Sequence, residues 1–245
     1  EKILENGGNV FLTDISQKNL NKTIQELEDK YGSDNIKGCQ MDVTNEQNVL
    51  EGFKTLLNTF GGLDILVSSV AVNTEATFEN TSLEIWNQNF SVLSTGYFLV
   101  ARESFKIMKN QQMGGSILFI VSKNGMIPSK KVSSYCAAKA AELQLSRCIA
   151  LEGAEYNIRS NAINPDAVIK DSNMWSEELR NKRSKTYNIL PKELENFYKN
   201  RSLLKKSVYA EDIAEGIYYF CLDSSEKSTG NILNIDAGHV ATFTR

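Results

Sequence analysis

The chain has 245 residues, 41% of them apolar, and a formal net charge of -3. That length can bury a sizeable core as one large α/β domain or two small ones. So balanced a charge offers no electrostatic case for nucleic acid or an anionic membrane surface, and no apolar run approaches the ~18 residues of a membrane span.

The four cysteines (Cys39, Cys136, Cys148, Cys221) are widely spaced and form no CxxC pair. Neither a disulfide framework nor a metal site is expected, and a reducing, cytoplasmic setting is. The single histidine, His239, leaves histidine-based triad hydrolysis without its usual base.

Residues 1–6 read as the last turn of a helix stopped by Gly7 and Gly8, so a preceding piece of the fold is expected upstream of Glu1. Apolar runs then recur at 10–12, 36–41, 63–68, 116–121, 159–163 and 231–235. Between them, residues 17–31, 46–60, 83–109, 134–152 and 210–222 carry apolar side chains at spacings of three and four, which predicts helices. Strands alternating with helices imply parallel pairing through right-handed crossovers. The expected fold is therefore α/β: a doubly wound, Rossmann-type parallel sheet in a single domain. Ligands of such sheets sit beyond the carboxyl ends of the strands. Residues 168–208 break the rhythm with two charged helical stretches, 177–187 and 191–200, and no strand. An insertion there is placed to act as a substrate lid, or as a solvated decoration.

Asp14 directly follows the first apolar run. A carboxylate there can accept from the hydroxyls of an adenosine ribose and would repel a 2′-phosphate, which favours NAD over NADP; helix capping or a loop role fits it equally. Asp42, in Met41-Asp42-Val43, fits an adenine contact or, better on residue type alone, a cap for the helix beginning near Asn45. The strongest signal is Ser122 at the end of a strand, Tyr135 early in the next helix, and Lys139 one turn further along the same face. A neighbouring ammonium favours the phenolate of Tyr135, which could then exchange a proton with an alcohol or carbonyl while hydride moves. Ser122 would hold the substrate oxygen, and Lys139 would also reach a nicotinamide ribose. A bare Tyr-x-x-x-Lys is common by chance; its setting between strands gives it weight.

Asp14, Asp42-Val43, Leu63-Asp64-Ile65-Leu66-Val67, Ser122, Tyr135 with Lys139, Asn164-Pro165 and Asp236-Ala237-Gly238 together resemble the short-chain dehydrogenase/reductase superfamily along essentially the whole chain. Ser122-Lys123-Asn124, the run from Asn164 to Val168 and residues 201–208 are similar to the dehydrogenase half of bifunctional rhamnulose-phosphate aldolase/short-chain dehydrogenase proteins. The resemblance implies NAD as cofactor and contacts to it from Asp14, Asp42, Val43, Ser69, Val70, Ala71, Tyr135, Lys139, Pro165 and Val168. It also implies lactaldehyde or a deoxysugar product as substrate, a homodimer or homotetramer, and an aldolase domain in the same protein.

Three departures stand out. The family's glycine-rich turn and the strand before it are missing, and in the usual strand order that strand is central; the chain alone is expected to bind NAD poorly. The family's Asn-Ala-Gly is here Ser69-Val70-Ala71, and its relay asparagine aligns with Leu93, with Asn89 one turn earlier either a partial substitute or a helix-surface residue. These changes favour an alternative in which the chain is a catalytically impaired binding or scaffolding module. Trp86 and Trp175 read as packing anchors, Trp175 with some prospect of substrate contact, and His239 as a surface or subunit-contact residue.

Overall fold

The computed structural model describes residues 1–170, 172 and 174–243. After the short helix α1 (Lys2–Glu5), β1 (Val10–Asp14), α2 (Gln17–Tyr31), β2 (Ile36–Gln40) and α3 (Glu46–Phe60) make one half of the domain. The second half comprises β3 (Ile65–Ser68), α4 (Leu83–Asn89), a π-helical segment (Phe90–Thr95), α5 (Gly96–Gln111), β4 (Gly115–Ile120), α6 (Ser133–Gly153) and β5 (Ile158–Pro165). It closes with α7 (Glu177–Tyr187), α8 (Leu194–Arg201), α9 (Ala210–Cys221) and β6 (Ile232–Ile235). This is the expected Rossmann-type α/β fold, and no helix among the described residues is long and apolar enough to cross a membrane.

All strand pairs are parallel, in two groups: β1 with β2, and β3-β4-β5-β6. Between the groups, residues 10–13 of β1 face residues 65–67 of β3 across a cleft of about 660 Å³. The amide of Val10 donates to Asn35 and the carbonyl of Asp14 accepts from Met41, so Val10, Leu12 and Asp14 direct their backbone groups at β2. By alternation, Phe11 and Thr13 direct theirs into the cleft.

The core follows from period-two burial in the central strands. Ile117, Phe119 and Val121 pack with Tyr97, Ala101, Met108 and Leu143 of α5 and α6, while Leu118 packs on the opposite face with Ile163, Ile213 and Phe220. The two halves are joined where Met41, Val43, Val49 and Phe53 meet Leu99 and Val100. Gly96 permits that contact, since a Cβ there would lie 2.7 Å from the Val43 side chain. Helix starts follow the expected chemistry: Ser16, Asn45, Ser82 and Ser176 each accept a backbone N–H three residues on.

Two readings are corrected here. The predicted single helix over 83–109 is interrupted by the π-helical turn, a feature that marks functional segments. The cap of α3 is Asn45, not Asp42, whose Oδ1 instead accepts from the amide and hydroxyl of Thr44.

Candidate active site

The carboxyl ends of β3, β4 and β5 open on a cavity of about 280 Å³. Ser122, Tyr135 and Lys139 line it together with Ser69, Ala71, Pro165 and Val168, although these lie as far apart as 99 residues in sequence. Ser122 follows β4; its hydroxyl accepts from the amide of Asn124 and its own amide donates to Asn164 Oδ1 on β5. Tyr135 stands in the first turn of α6 and lines the same cavity as Ser122. Lys139 stands one turn on, its Nζ 5.9 Å from the centre of the Tyr135 ring.

The electrostatics differ from the sequence expectation. Lys139 is 1% exposed, and its Nζ donates to Glu142 Oε2 at 2.9 Å and to the Ile120 carbonyl at 3.1 Å. Burial pushes the Tyr135 phenol above its ordinary value; Ser122 pulls it down, and Glu142 adds to the rise. In this structure burial therefore outweighs the neighbouring groups, and the phenol is raised rather than lowered. Desolvation lowers the pKa of Lys139, and its hydrogen bond to Glu142 works in the opposite direction.

The other named residues are dispersed. Asp14 is exposed at the end of β1, with Oδ1 accepting from the Ser16 amide; the cap of α2 is Ser16 itself. Val43 is buried against Gly96 and lines neither the cavity nor the cleft. Val70 is partly exposed, and its carbonyl accepts from the Tyr97 hydroxyl. Ser69 borders both the cavity and the cleft between β1 and β3. The expected insertion, 168–208, supplies Ser172, Met174, Trp175, Leu179, Arg183 and Tyr198 to the cavity wall; residues 171 and 173 lie outside the described residues.

Sequence reasoning missed the charged pairs around the cavity. Lys123 Nζ lies 2.7 Å from Asp166 Oδ1, and Arg183 Nε 2.6 Å from Glu75 Oε1, all four side chains being 10% exposed or less. A lysine immediately after an apolar strand end was the available signal for Lys123; Glu75 and Arg183 are 108 residues apart and gave none. Trp175 is buried edge-on to Tyr198, and its indole Nε1 has no partner among the described residues. Asn73 Oδ1 is likewise buried without one. Asn89 is buried rather than on a helix surface: its Nδ2 donates to Ile85 and to Ser134 next to Tyr135. Leu93, in the π-helical turn, is 0% exposed and packs with Val132, Tyr135 and Ala138. His239 is partly buried, with Nε2 2.9 Å from Arg201.

A nicotinamide dinucleotide fits parts of this site. Asp14 is exposed at the end of β1, just beyond the cleft-lining residues 10–13, while Tyr135, Lys139 and Ser122 line the cavity and Ser69 borders both spaces. The amides that would receive the pyrophosphate are not among the described residues, because no strand occupies the cleft.

Comparison with known proteins agrees with the geometry. Residues 1–240 match the model of a family described as enoyl-(acyl carrier protein) reductase. The chain is 43% identical over 239 residues to the uncharacterized oxidoreductase YuxG of Bacillus subtilis, covering 98% of this chain and 35% of that protein. It thus spans about a third of the length of that relative. It is 30% identical over 234 residues to sorbitol-6-phosphate 2-dehydrogenase of Escherichia coli, covering 96% of this chain and 90% of the other. The crystal structure of sorbitol-6-phosphate 2-dehydrogenase SrlD from Erwinia amylovora superimposes with a TM-score of 0.92 at 29% identity, covering 97% and 92% of the two chains.

Proposed function

The chain belongs to the short-chain dehydrogenase/reductase superfamily, and from that premise we propose that it is the dehydrogenase domain of an NAD-dependent oxidoreductase interconverting a small, uncharged hydroxyl compound and its carbonyl. The observation that carries this reading is the convergence of Ser122, Tyr135 and Lys139 on one wall of one cavity. NAD(H), when bound, would accept or supply the hydride. Tyr135 would take the proton of the alcohol or return it to the carbonyl oxygen, and Ser122 would hold that oxygen by hydrogen bond. Lys139 would support the developing charge on Tyr135 and hold the cofactor's ribose. Asp14 would accept from the adenosine ribose hydroxyls and disfavour a 2′-phosphate.

The lining supports a neutral, hydroxyl-rich substrate of lactaldehyde or deoxysugar type. Lys123 and Arg183 are each paired with a carboxylate, so neither offers a free charge to a phosphate. Trp175 Nε1 and Asn73 Oδ1, which have no partner among the described residues, are a donor and an acceptor that hydroxyls can satisfy. The 168–208 segment would act as the lid, since its residues form one side of the cavity.

We further propose that a parallel strand supplied from outside these 245 residues fills the cleft between β1 and β3 in the working protein and brings the pyrophosphate-binding turn. An aldolase domain within the same longer protein, and self-association through exposed apolar residues such as Phe78, Leu83 and Phe98, belong to the same reading. The buried Leu93 and the open cleft favour the second reading, a binding module without turnover.

The deciding experiment measures NADH formation from lactaldehyde-like and sugar alcohols by the full-length protein and its Tyr135→Phe variant. Activity in the parent with a loss of ~100-fold or more in the variant is expected. Equal rates would remove Tyr135 from the chemistry, and no NAD binding by the full-length protein would turn the conclusion to the binding module.

A further inference from the structure

Glu142 plays no part in the chemistry above, yet its side chain is 0% exposed. It lies three residues after Lys139 on α6, among the small and apolar Ala138, Ala141 and Leu143. Nothing about packing that face calls for a carboxyl. Burying both members of an ion pair costs each its hydration, and an apolar replacement of similar volume is often no less stable. The geometry is specific all the same. Glu142 Oε2 accepts from Lys139 Nζ at 2.9 Å, the same Nζ donates to the Ile120 carbonyl at the end of β4, and Glu142 Oε1 has no hydrogen-bond partner.

We propose that Glu142 is a positioning residue for Lys139: it draws the amine onto the Ile120 carbonyl beside Tyr135 and keeps it charged as pH rises. The inference rests on the reading of Ser122, Tyr135 and Lys139 as the reacting set. The titratable groups that face the pair from the packed elements are Tyr97 on α5, whose ring centre is 5.0 Å from Lys139 Nζ, and Tyr135 on α6 itself. Both phenols are raised by burial, with Glu142 adding to the rise, so neither supplies an anion that could replace the carboxylate.

The protonation of the pair agrees with that role. Burial pushes Glu142 up to about 8, against the pull of Lys139, and pushes Lys139 below its ordinary value, against the pull of Glu142. At lower pH the ammonium hydrogen-bonds a neutral carboxyl. As pH climbs, the ionising carboxyl strengthens the hold of the amine on its own proton in the range where burial would release it.

The test is a titration of Lys139 Nζ by nitrogen-15 NMR in lysine-labelled parent protein and in Glu142→Gln, which keeps the shape and an acceptor but not the charge. Lys139 is expected to lose its proton about one pH unit or more lower in the variant. In parallel, kcat/KM for alcohol oxidation should stay within about threefold of the parent at pH 7, with its alkaline limb displaced downward by the same interval. Coincident Lys139 titration curves overturn the proposal, whether or not the protein turns over substrate. If Glu142→Gln does not fold, Glu142→Ala is titrated with added formate or formamide. Formate should restore the parental titration and formamide, of equal size and no charge, should not; equal restoration by both or by neither overturns the proposal. A Tyr135→Phe variant with unchanged activity would remove the acid/base reading alone and leave the Lys139 titration to decide this one.

Discussion

Glu75 and Arg183 meet at 2.6 Å with each side chain 5% exposed, one from the stretch after β3 and the other from α7. Arg183 also donates to the Lys130 carbonyl just before α6. One guanidinium therefore ties three separate segments around the cavity that holds Ser122, Tyr135 and Lys139. Burial pushes the Glu75 carboxyl above its usual range, and Arg183 works in the opposite direction. The pair fixes where the 168–208 segment lies more than it adds net stability, because both ions have given up water.

Removing one partner should be costly. Arg183→Met leaves Glu75 buried without its cation, and a loss of roughly 3–5 kcal/mol is expected from the urea midpoint at constant m-value. The double change Glu75→Gln with Arg183→Met should recover part of that loss. Additive effects in the double-mutant cycle would show that the two groups do not act together.

Asp14 should set cofactor choice in the full-length protein. Asp14→Ala removes the carboxylate at the end of β1 without touching the cap of α2, which is Ser16. The ratio of kcat/KM for NAD over NADP is expected to fall by ~10-fold or more, mainly through loss of the ribose contacts. An unchanged ratio would assign the discrimination to other residues.

Much of the fold was legible because strand and helix periods differ. Residues 116–121 read as a strand and the structure has β4 at Gly115–Ile120; residues 134–152 read as a helix and α6 is Ser133–Gly153. The proximity of Ser122, Tyr135 and Lys139 was legible for the same reason: a strand end and one helical turn fix all three. Their charge state was not, because the partner that claims Lys139 is a carboxyl whose burial only the packed helix reveals. The break at Phe90–Thr95 was invisible as well, since a π-helical turn inserts a residue into an otherwise helical pattern without altering its composition. The pairs across the cavity depend on segments that meet only in three dimensions.

The open cleft should leave a mark on hydrogen exchange. Ser116 donates to the Asp64 carbonyl, so alternation turns Leu66 toward β4 and Ile65 and Val67 toward the cleft. Amides of Phe11, Thr13, Ile65 and Val67 are expected to exchange orders of magnitude faster than those of Leu12, Leu66 and Leu118. In the full-length protein the same four should become protected if a strand lies between β1 and β3. Fast exchange there in both forms would mean that the cleft stays empty.

Leu93 should not tolerate the polar side chain that a relay would need. It is fully buried against Val132, Tyr135 and Ala138, so Leu93→Asn combines lost apolar burial with a desolvated amide. A destabilisation of about 2–4 kcal/mol is expected from thermal or urea unfolding. A neutral effect would indicate that Asn89 Oδ1, buried and unpaired nearby, accepts from the new amide.

Glu142 should make stability fall with rising pH across a defined window. Its carboxyl is raised from an ordinary value near 4.5 to about 8 in the folded chain. Between those values the folded state holds a proton that the unfolded state has released, so each step up in pH favours unfolding. The contribution is fully present below about pH 4.5 and is lost as pH rises through about 8. Lys139 works the other way, since its lowered pKa leaves the unfolded state holding the extra proton. The difference in Tm between parent and Glu142→Gln, followed from pH 5 to 8, reports the carboxyl together with the hold it has on Lys139. The parent should lose stability relative to the variant throughout that interval; a flat difference would place Glu142 at its ordinary pKa and deny it the burial on which its role beside Lys139 depends.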